Sequence, residues 1–191
     1  PPQSLDVAVA QTQGSMGYML ANQLRNRFNE EQLEKEIASV MTEVEVDRDD
    51  PAFENPTKPV GPYFTAYRAN LLMQEHGWQM VEDTGRGWRK VVPSPMPQKI
   101  VGCHLLKRLL EGGAVVVAGG GGGVPGYRDV GGYYRGVEAV IDKDYVASIF
   151  AREVAADLFI VLTQVPMVAE NFGRPNQRWI RRLPVARARQ M

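Results

Sequence analysis

Three lysine- and glycine-bearing stretches could do chemistry on an anion. The first is "IDKD", in which Lys143 stands between Asp142 and Asp144 after an apolar run. A cation held between carboxylates suits the handling of phosphate, and the ends of strands in open α/β sheets are where ligands bind. A solvated turn is the competing reading. Asp144 falls where a helix N-cap belongs, whereas Asp142 has no evident local structural role beyond helping to hold the turn. The second stretch is "AGGGGGVPG", where Gly119, Gly120, Gly121 and Gly122 follow a short apolar run. Glycines there let backbone N–H groups approach an anion with no Cβ in the way; a merely flexible loop is the alternative. The run lacks the last glycine of the dinucleotide fingerprint, and no G-K-[ST] occurs, which excludes a Walker P-loop. The third is "NPTKPVG", with Lys58 between prolines that stiffen the chain and so hold a charge in place; an ordinary surface lysine is the bland reading. His76 and His104 have no metal-like spacing with each other or with Cys103, no metal-ligating set is expected, and Trp78, Trp88 and Trp179 read as packing residues.

The elements that must position these groups read as α/β. Apolar residues Met16, Met19, Leu20 and Leu24 predict an amphipathic helix over Gly14–Phe28, and "IASVMTEVEV" predicts a strand over Ile37–Val46. The Pro-rich stretch Asp47–Pro62 reads as a rigid loop without helix or ladder. A helix follows over Phe64–Gly77, then a hairpin over Trp78–Val92 turning at Thr84–Gly87, then an extended return through Gln98. Loop, helix and hairpin make a small protruding subdomain, residues 47–97. Beyond it, a helix ending at Gly112-Gly113, a strand Ala114–Ala118, a further short strand in "VEAVI", a helix from Asp144 and a buried strand Leu158–Val165 alternate. That order implies a mostly parallel sheet with right-handed crossovers.

Composition narrows the partners. The 191 residues carry 22 basic and 22 acidic side chains, so net charge gives no reason to expect nucleic acid or an anionic membrane. The basic C-terminal run "RWIRRLPVARARQM" reads as a solvated helix and linker. A single cysteine, Cys103, excludes an intrachain disulfide and fits a reducing, cytoplasmic compartment. No stretch reads as a membrane span or signal peptide.

Taken together and in order, "QTQGSMGYML", "EVDRDDPAFENPTKPVGP", "EDTGRGWRKVVPSPMP", "VAGGGGGVP", "GVEAVIDKD" and "NFGRPNQ" resemble the carbamate kinase family within the amino-acid-kinase superfamily. The resemblance runs from about Leu5 to the end, and the set is far more specific than the glycine run or "DKD" alone. It implies an αβα sandwich around a mostly parallel sheet with a subdomain beside the active site. It implies reversible phosphoryl transfer between carbamoyl phosphate and ADP, giving ATP and carbamate, with Mg2+ accompanying the nucleotide, and a homodimer for the complete protein. By position, Lys58 matches the subdomain lysine that reaches the transferring phosphoryl group, Lys143 a lysine on the nucleotide phosphates, and Asp144 the aspartate that organises the lysines. Gly119–Gly122 would line the substrate side. Asp142, Thr163, Val165, Asn171 and Phe172 would lie on the nucleotide. The family's opening strand with its glycine-asparagine loop, and its closing "GSMGPK"-type segment, have no match here. The resemblance therefore implies the central part of such a kinase, with little turnover by this stretch alone. Another amino-acid kinase, or a non-catalytic nucleotide-binding module derived from the family, stands as the alternative.

Overall fold

The computed structural model of the chain describes residues 3–190. It falls into two compact units, the first ending at Ala156 and the second beginning at Asp157.

The first unit opens with helix α1, Leu5–Glu30, longer than the predicted span at both ends. Its packed face is Gln13, Gly17 and Ala21, one residue per turn, while the predicted stripe residues Met16, Met19 and Leu20 are exposed. Small residues at 17 and 21 let the helix approach the strand at Ser39 closely; a Cβ on Gly17 would overlap the Ser39 hydroxyl. The expected strand Ile37–Val46 is two strands, β1 (Ile37–Ser39) and β2 (Glu43–Val46), with Val40–Thr42 stepping from one ladder to another.

Strand β3 (Lys58–Phe64), helix α2 (Ala66–His76), strand β4 (Met80–Asp83) and strand β5 (Gly87–Val92) follow. They form an antiparallel three-stranded sheet in the order β3-β5-β4. The predicted ladder-free loop is thus corrected: Pro51–Phe53 is a single 3-10 turn, and from Lys58 the chain pairs with β5, Lys58 opposite Val92 and Pro59 opposite Val91. Pro59 and Pro62 are compatible with this because β3 is an edge strand, where a missing N–H costs no interior ladder bond. Thr65 caps α2 by accepting a hydrogen bond from the Arg68 N–H at 3.3 Å, and Gly77 ends it at φ 64°. Ala69, Leu72 and Met80 make a small core of their own, covered by Phe64, Trp78 and Trp88.

Strand β6 (Pro97–Ile100) returns antiparallel to β2. Helix α3 (Cys103–Glu111) leads to strand β7 (Val115–Val117), which is parallel to β1. After the glycine run, strand β8 (Val124–Arg128) lies parallel to β2, and β9 (Tyr134–Gly136) closes the sheet in the order β6-β2-β8-β9. The parallel ladders β1–β7 and β2–β8 are the α/β signature that the alternation of strands and helices predicts. "VEAVI" forms no strand. Ala139 and Ile141 are buried all the same, and the Val140 N–H donates to the Pro93 carbonyl at 3.0 Å. An apolar run can thus enter a core without a ladder. Helix α4 (Lys143–Glu153) completes the unit, and Val44, Val46, Ile100, Leu106, Ile141, Val146 and Ile149 form its main core.

The second unit is a hairpin of β10 (Val168–Glu170) and β11 (Arg178–Ile180) followed by a short helix, α5 (Val185–Ala188). The predicted buried strand Leu158–Val165 is absent. Leu158, Ile160 and Leu162 are exposed, Leu162 by 93%. A continuous apolar run becomes a buried strand only where neighbours supply ladder partners, and none of the described residues does so. No helix among the described residues is long and apolar enough to cross a membrane.

Candidate active site

The glycine run and the start of α4 meet at Ile141. Gly119 stands in the left-handed region at φ 70° and opens a 3-10 turn through Gly122. Gly122, at φ 100°, passes so close to Ile141 that a Cβ would fall within the radius of the Ile141 carbonyl oxygen. At Gly119 a Cβ would press on the Phe150 ring of α4 at 3.0 Å. These two positions need glycine for different reasons: 122 for backbone approach and handedness together, 119 for handedness with a side-chain neighbour that can yield.

A buried polar clamp holds the loop from the other side. Gln13 of α1 exchanges two hydrogen bonds with the Thr42 backbone, its Nε2 donating to the Thr42 carbonyl at 3.0 Å and its Oε1 accepting from the Thr42 N–H at 2.9 Å. The Thr42 hydroxyl accepts from the Gly119 N–H at 2.9 Å. Gln13 and Thr42 are both buried. Sequence reasoning passed over both. The available signal was a glutamine one and two helical turns before the small residues Gly17 and Ala21, on the face that packs. Replacing Thr42 with Val keeps the shape and strands the Gly119 N–H; the expected cost is about 1–2 kcal/mol, read as a fall in Tm of roughly 3–6 °C with unchanged secondary structure.

Asp142, not Asp144, is the N-cap of α4. Its Oδ1 accepts from the Asp144 N–H at 2.9 Å. Asp142 takes the cap because its extended backbone, φ −72° and ψ 121°, directly precedes the first helical residue. This corrects both the capping role expected of Asp144 and the absence of one expected of Asp142. The other oxygen, Oδ2, accepts from Lys58 Nζ at 2.8 Å, joining positions 84 residues apart. The two side chains are 36% and 33% exposed. The Lys58 ammonium, together with the Asp144 N–H, holds the Asp142 carboxyl below its ordinary range, because both favour the ionised form. Lys143 Nζ donates to Asp144 Oδ1 at 2.8 Å, and that neighbour raises the lysine's pKa. This second pair is open to water, at 70% and 64% exposure. Asp142, Asp144, Tyr145 and Ser148 line a surface depression at the helix start.

The first unit therefore brings together Lys58, Asp142, Lys143, Asp144 and, across Ile141, the loop Gly119–Gly122. An ammonium on a fixed strand, a second on the first turn of a helix, and the positive end of that helix can receive phosphate oxygens. Lys58 is a strand residue rather than a loop residue, which fixes its backbone more tightly than the prolines alone would.

The remaining predicted residues belong to the second unit. The Thr163 hydroxyl faces the Val165 N–H at 3.5 Å. Asn171 holds a left-handed turn at φ 52°. Phe172 meets Trp179 edge to face with ring centroids 6.2 Å apart, and Phe172 is 64% exposed.

Comparison with known proteins places these features in a family. Residues 10–191 match the family model described as the amino acid kinase family. The carbamate kinase of Thermococcus kodakarensis is 46% identical over 185 residues, which is 97% of this chain and 58% of that protein. Carbamate kinase 2 of Enterococcus faecalis is 44% identical over 188 residues, 98% of this chain and 60% of that protein. A crystal structure of an Aeropyrum pernix K1 protein superposes with a TM-score of 0.90 at 40% identity, covering all of this chain and 61% of the other. A carbamate kinase from Giardia lamblia bound to AMP-PNP gives 0.82 at 38% identity, covering 94% and 57%. The chain spans about 60% of the length of the curated relatives it matches.

Proposed function

Because the chain belongs to the amino acid kinase family, we propose that this protein transfers a phosphoryl group between carbamoyl phosphate and ADP, forming ATP and carbamate. The observation that carries this reading is the pair of lysines held by Asp142 and Asp144 at the N-terminus of α4, with the glycine loop beside them. Similarity to proteins named carbamate kinase supports the choice of reaction, and the Giardia lamblia relative bound to AMP-PNP supports an adenine nucleotide.

In the ATP-forming direction a terminal phosphate oxygen of ADP attacks the phosphorus of carbamoyl phosphate. The bond from phosphorus to the carbamoyl oxygen breaks, and carbamate leaves with its electron pair. Such transfers need positioning and charge stabilisation more than covalent help. Lys58 meets the transferring group, and Lys143 meets the nucleotide phosphates. In the loop, the N–H groups of Gly119, Gly122 and Gly123 are engaged by Thr42, Gly119 and Gly120, so Gly120 and Gly121 are the proposed donors to the substrate. Thr163, Val165, Asn171 and Phe172 are the proposed nucleotide contacts of the second unit. Mg2+ would arrive on the nucleotide phosphates, as it commonly does. Residues 47–97 act as the subdomain that brings Lys58 to the site. A cytoplasmic homodimer is the proposed setting, and the exposed side chains of Met16, Met19 and Leu20, at helical spacing on α1, offer it an apolar face.

The direct test, like the variants below, uses the full-length protein: ATP formation from carbamoyl phosphate and MgADP. Phosphorylation of an acylated amino acid with no reaction on carbamoyl phosphate would overturn the substrate, and nucleotide binding with no turnover on any acceptor would overturn the enzyme. Lys143→Met is expected to lower kcat about 10- to 100-fold with Tm unchanged, less than the full loss of a preorganised donor because Lys143 is largely in water. Lys143→Arg should not restore the rate fully, since a planar fork does not replace a compact ammonium. A collapsed Tm in either variant would make "DKD" a structural motif instead.

A further inference from the structure

We propose that Asp142 is a positioning residue for the reaction, its carboxylate holding the Lys58 ammonium at the start of α4 so that the lysine meets the transferring phosphoryl group already in place. The role assigned to that lysine rests on the reaction proposed above; the geometry that places it does not.

A lysine ends in a four-carbon stem whose rotamers fan the ammonium over a wide volume. The backbone of Lys58 is fixed by its register opposite the buried Val92, and Pro59 restricts the residue before it, Lys58, to extended conformations. Neither fixes the side chain. Asp142 does, at 2.8 Å. Its carboxylate is itself held at both oxygens, Oδ2 by the lysine and Oδ1 by the Asp144 N–H. The linkage therefore runs from the ladder of β3 through Lys58 and Asp142 to the first turn of α4. Each end belongs to an element with its own core: β3 to the sheet packed on Ala69, Leu72 and Met80, and α4 to the cluster around Val146 and Ile149.

Stability does not account for such a pair. With each side chain about one-third exposed, an ion pair contributes little to folding. What it supplies is location. The contrast with Lys143 and Asp144 is direct: those are sequence neighbours, both mostly in water, and their contact constrains nothing beyond one turn. The resemblance assigns the organising of the lysines to Asp144; in this geometry Asp144 organises Lys143 and Asp142 organises Lys58.

Asp142→Asn separates the two jobs of this residue. Asparagine caps helices as well as aspartate, so α4 keeps its start, but the charge that holds Lys58 is gone. The expected result is a kcat lowered about tenfold with Tm nearly unchanged, whereas Asp142→Ala loses the cap as well and melts earlier with a similar kcat. The deciding measurement is a double-mutant cycle with Lys58→Ala. If Asp142 acts through Lys58, adding Asp142→Asn to Lys58→Ala costs less than about twofold further. Losses that multiply in full, or wild-type turnover by Asp142→Asn alone, would overturn the proposal. A full-length wild-type protein that makes no ATP from carbamoyl phosphate strikes the reaction proposed above instead. The positioning is then read on the side chain itself: in crystals of Asp142→Asn the Lys58 ammonium should lose the fixed place it has at 2.8 Å from Asp142, and a Lys58 side chain that keeps that place would overturn the proposal.

Discussion

Lys58→Ala is expected to lower kcat about 100- to 1,000-fold, the scale of removing one preorganised donor from a transition state, while ADP affinity changes by less than about threefold. The reasoning starts from placement. Lys58 is the first residue of β3, its backbone is held by the ladder to β5, and its ammonium is held by Asp142. A charge fixed before the reaction needs no reorganisation when negative charge moves onto the transferred group, so its benefit is realised in the transition state rather than in the bound nucleotide. Steady-state kinetics together with equilibrium binding of ADP separates the two quantities. Equal losses in affinity and turnover would assign Lys58 to general nucleotide binding. Because Lys58 lies on an edge strand and its ion pair is partly exposed, Tm should move little, and a large drop would mean that the lysine holds the subdomain together instead.

Gly122→Ala is expected to cost about 3 kcal/mol, from a backbone conformation that L-residues avoid plus a backbone shift at the contact. That corresponds to a Tm lower by roughly 6–12 °C. At φ 100° the residue is already in a region that disfavours a side chain, and its Cβ would meet the Ile141 carbonyl, which is backbone and cannot rotate away. Relief requires Ile141 to move, and with it Asp142 and the start of α4. Turnover should therefore fall further than the melting temperature alone explains at the assay temperature. Gly121→Ala is the control: its φ is 68° but a Cβ there meets nothing within 4 Å, so it bears only the left-handed penalty of about 1–2 kcal/mol. Equal Tm values for the two variants would refute the close approach at Ile141.

Local chemistry made several elements readable before any coordinates. Thr65 and Gly77 bound α2 because a hydroxyl cap and a left-handed glycine are one-residue signals. The turn between β4 and β5 is marked by Gly85 and Gly87, both at positive φ. Short continuous Val runs gave β7. The lysines and glycines of the site were picked out by residue type, since few other residues can present a cation or bare backbone to a phosphate.

Other features depended on partners far along the chain. The expected cap of α4 was Asp144, but Asp142 holds it, extended before the helix and tied to Lys58 84 residues away. The stripe Met16, Met19, Leu20 announced a helix correctly, but the face that packs is Gln13, Gly17 and Ala21, because close approach to β1 demands small side chains and Thr42 supplies a partner for the glutamine. Lys58 passed for a loop residue because prolines suppress strand signals, and only the edge position of β3 makes them compatible with a ladder. "VEAVI" and Leu158–Val165 show the converse: apolar content predicts burial or pairing, but a strand exists only where another strand offers its backbone. What residue type and short-range spacing determined here was therefore the reactive inventory, the caps of α2 and the turn between β4 and β5, all decided within a few residues. What tertiary structure alone decided was the long-range polar pairing, Lys58 with Asp142 across 84 positions and Thr42 with Gly119 across 77, because those hydrogen bonds form only after separate elements have packed.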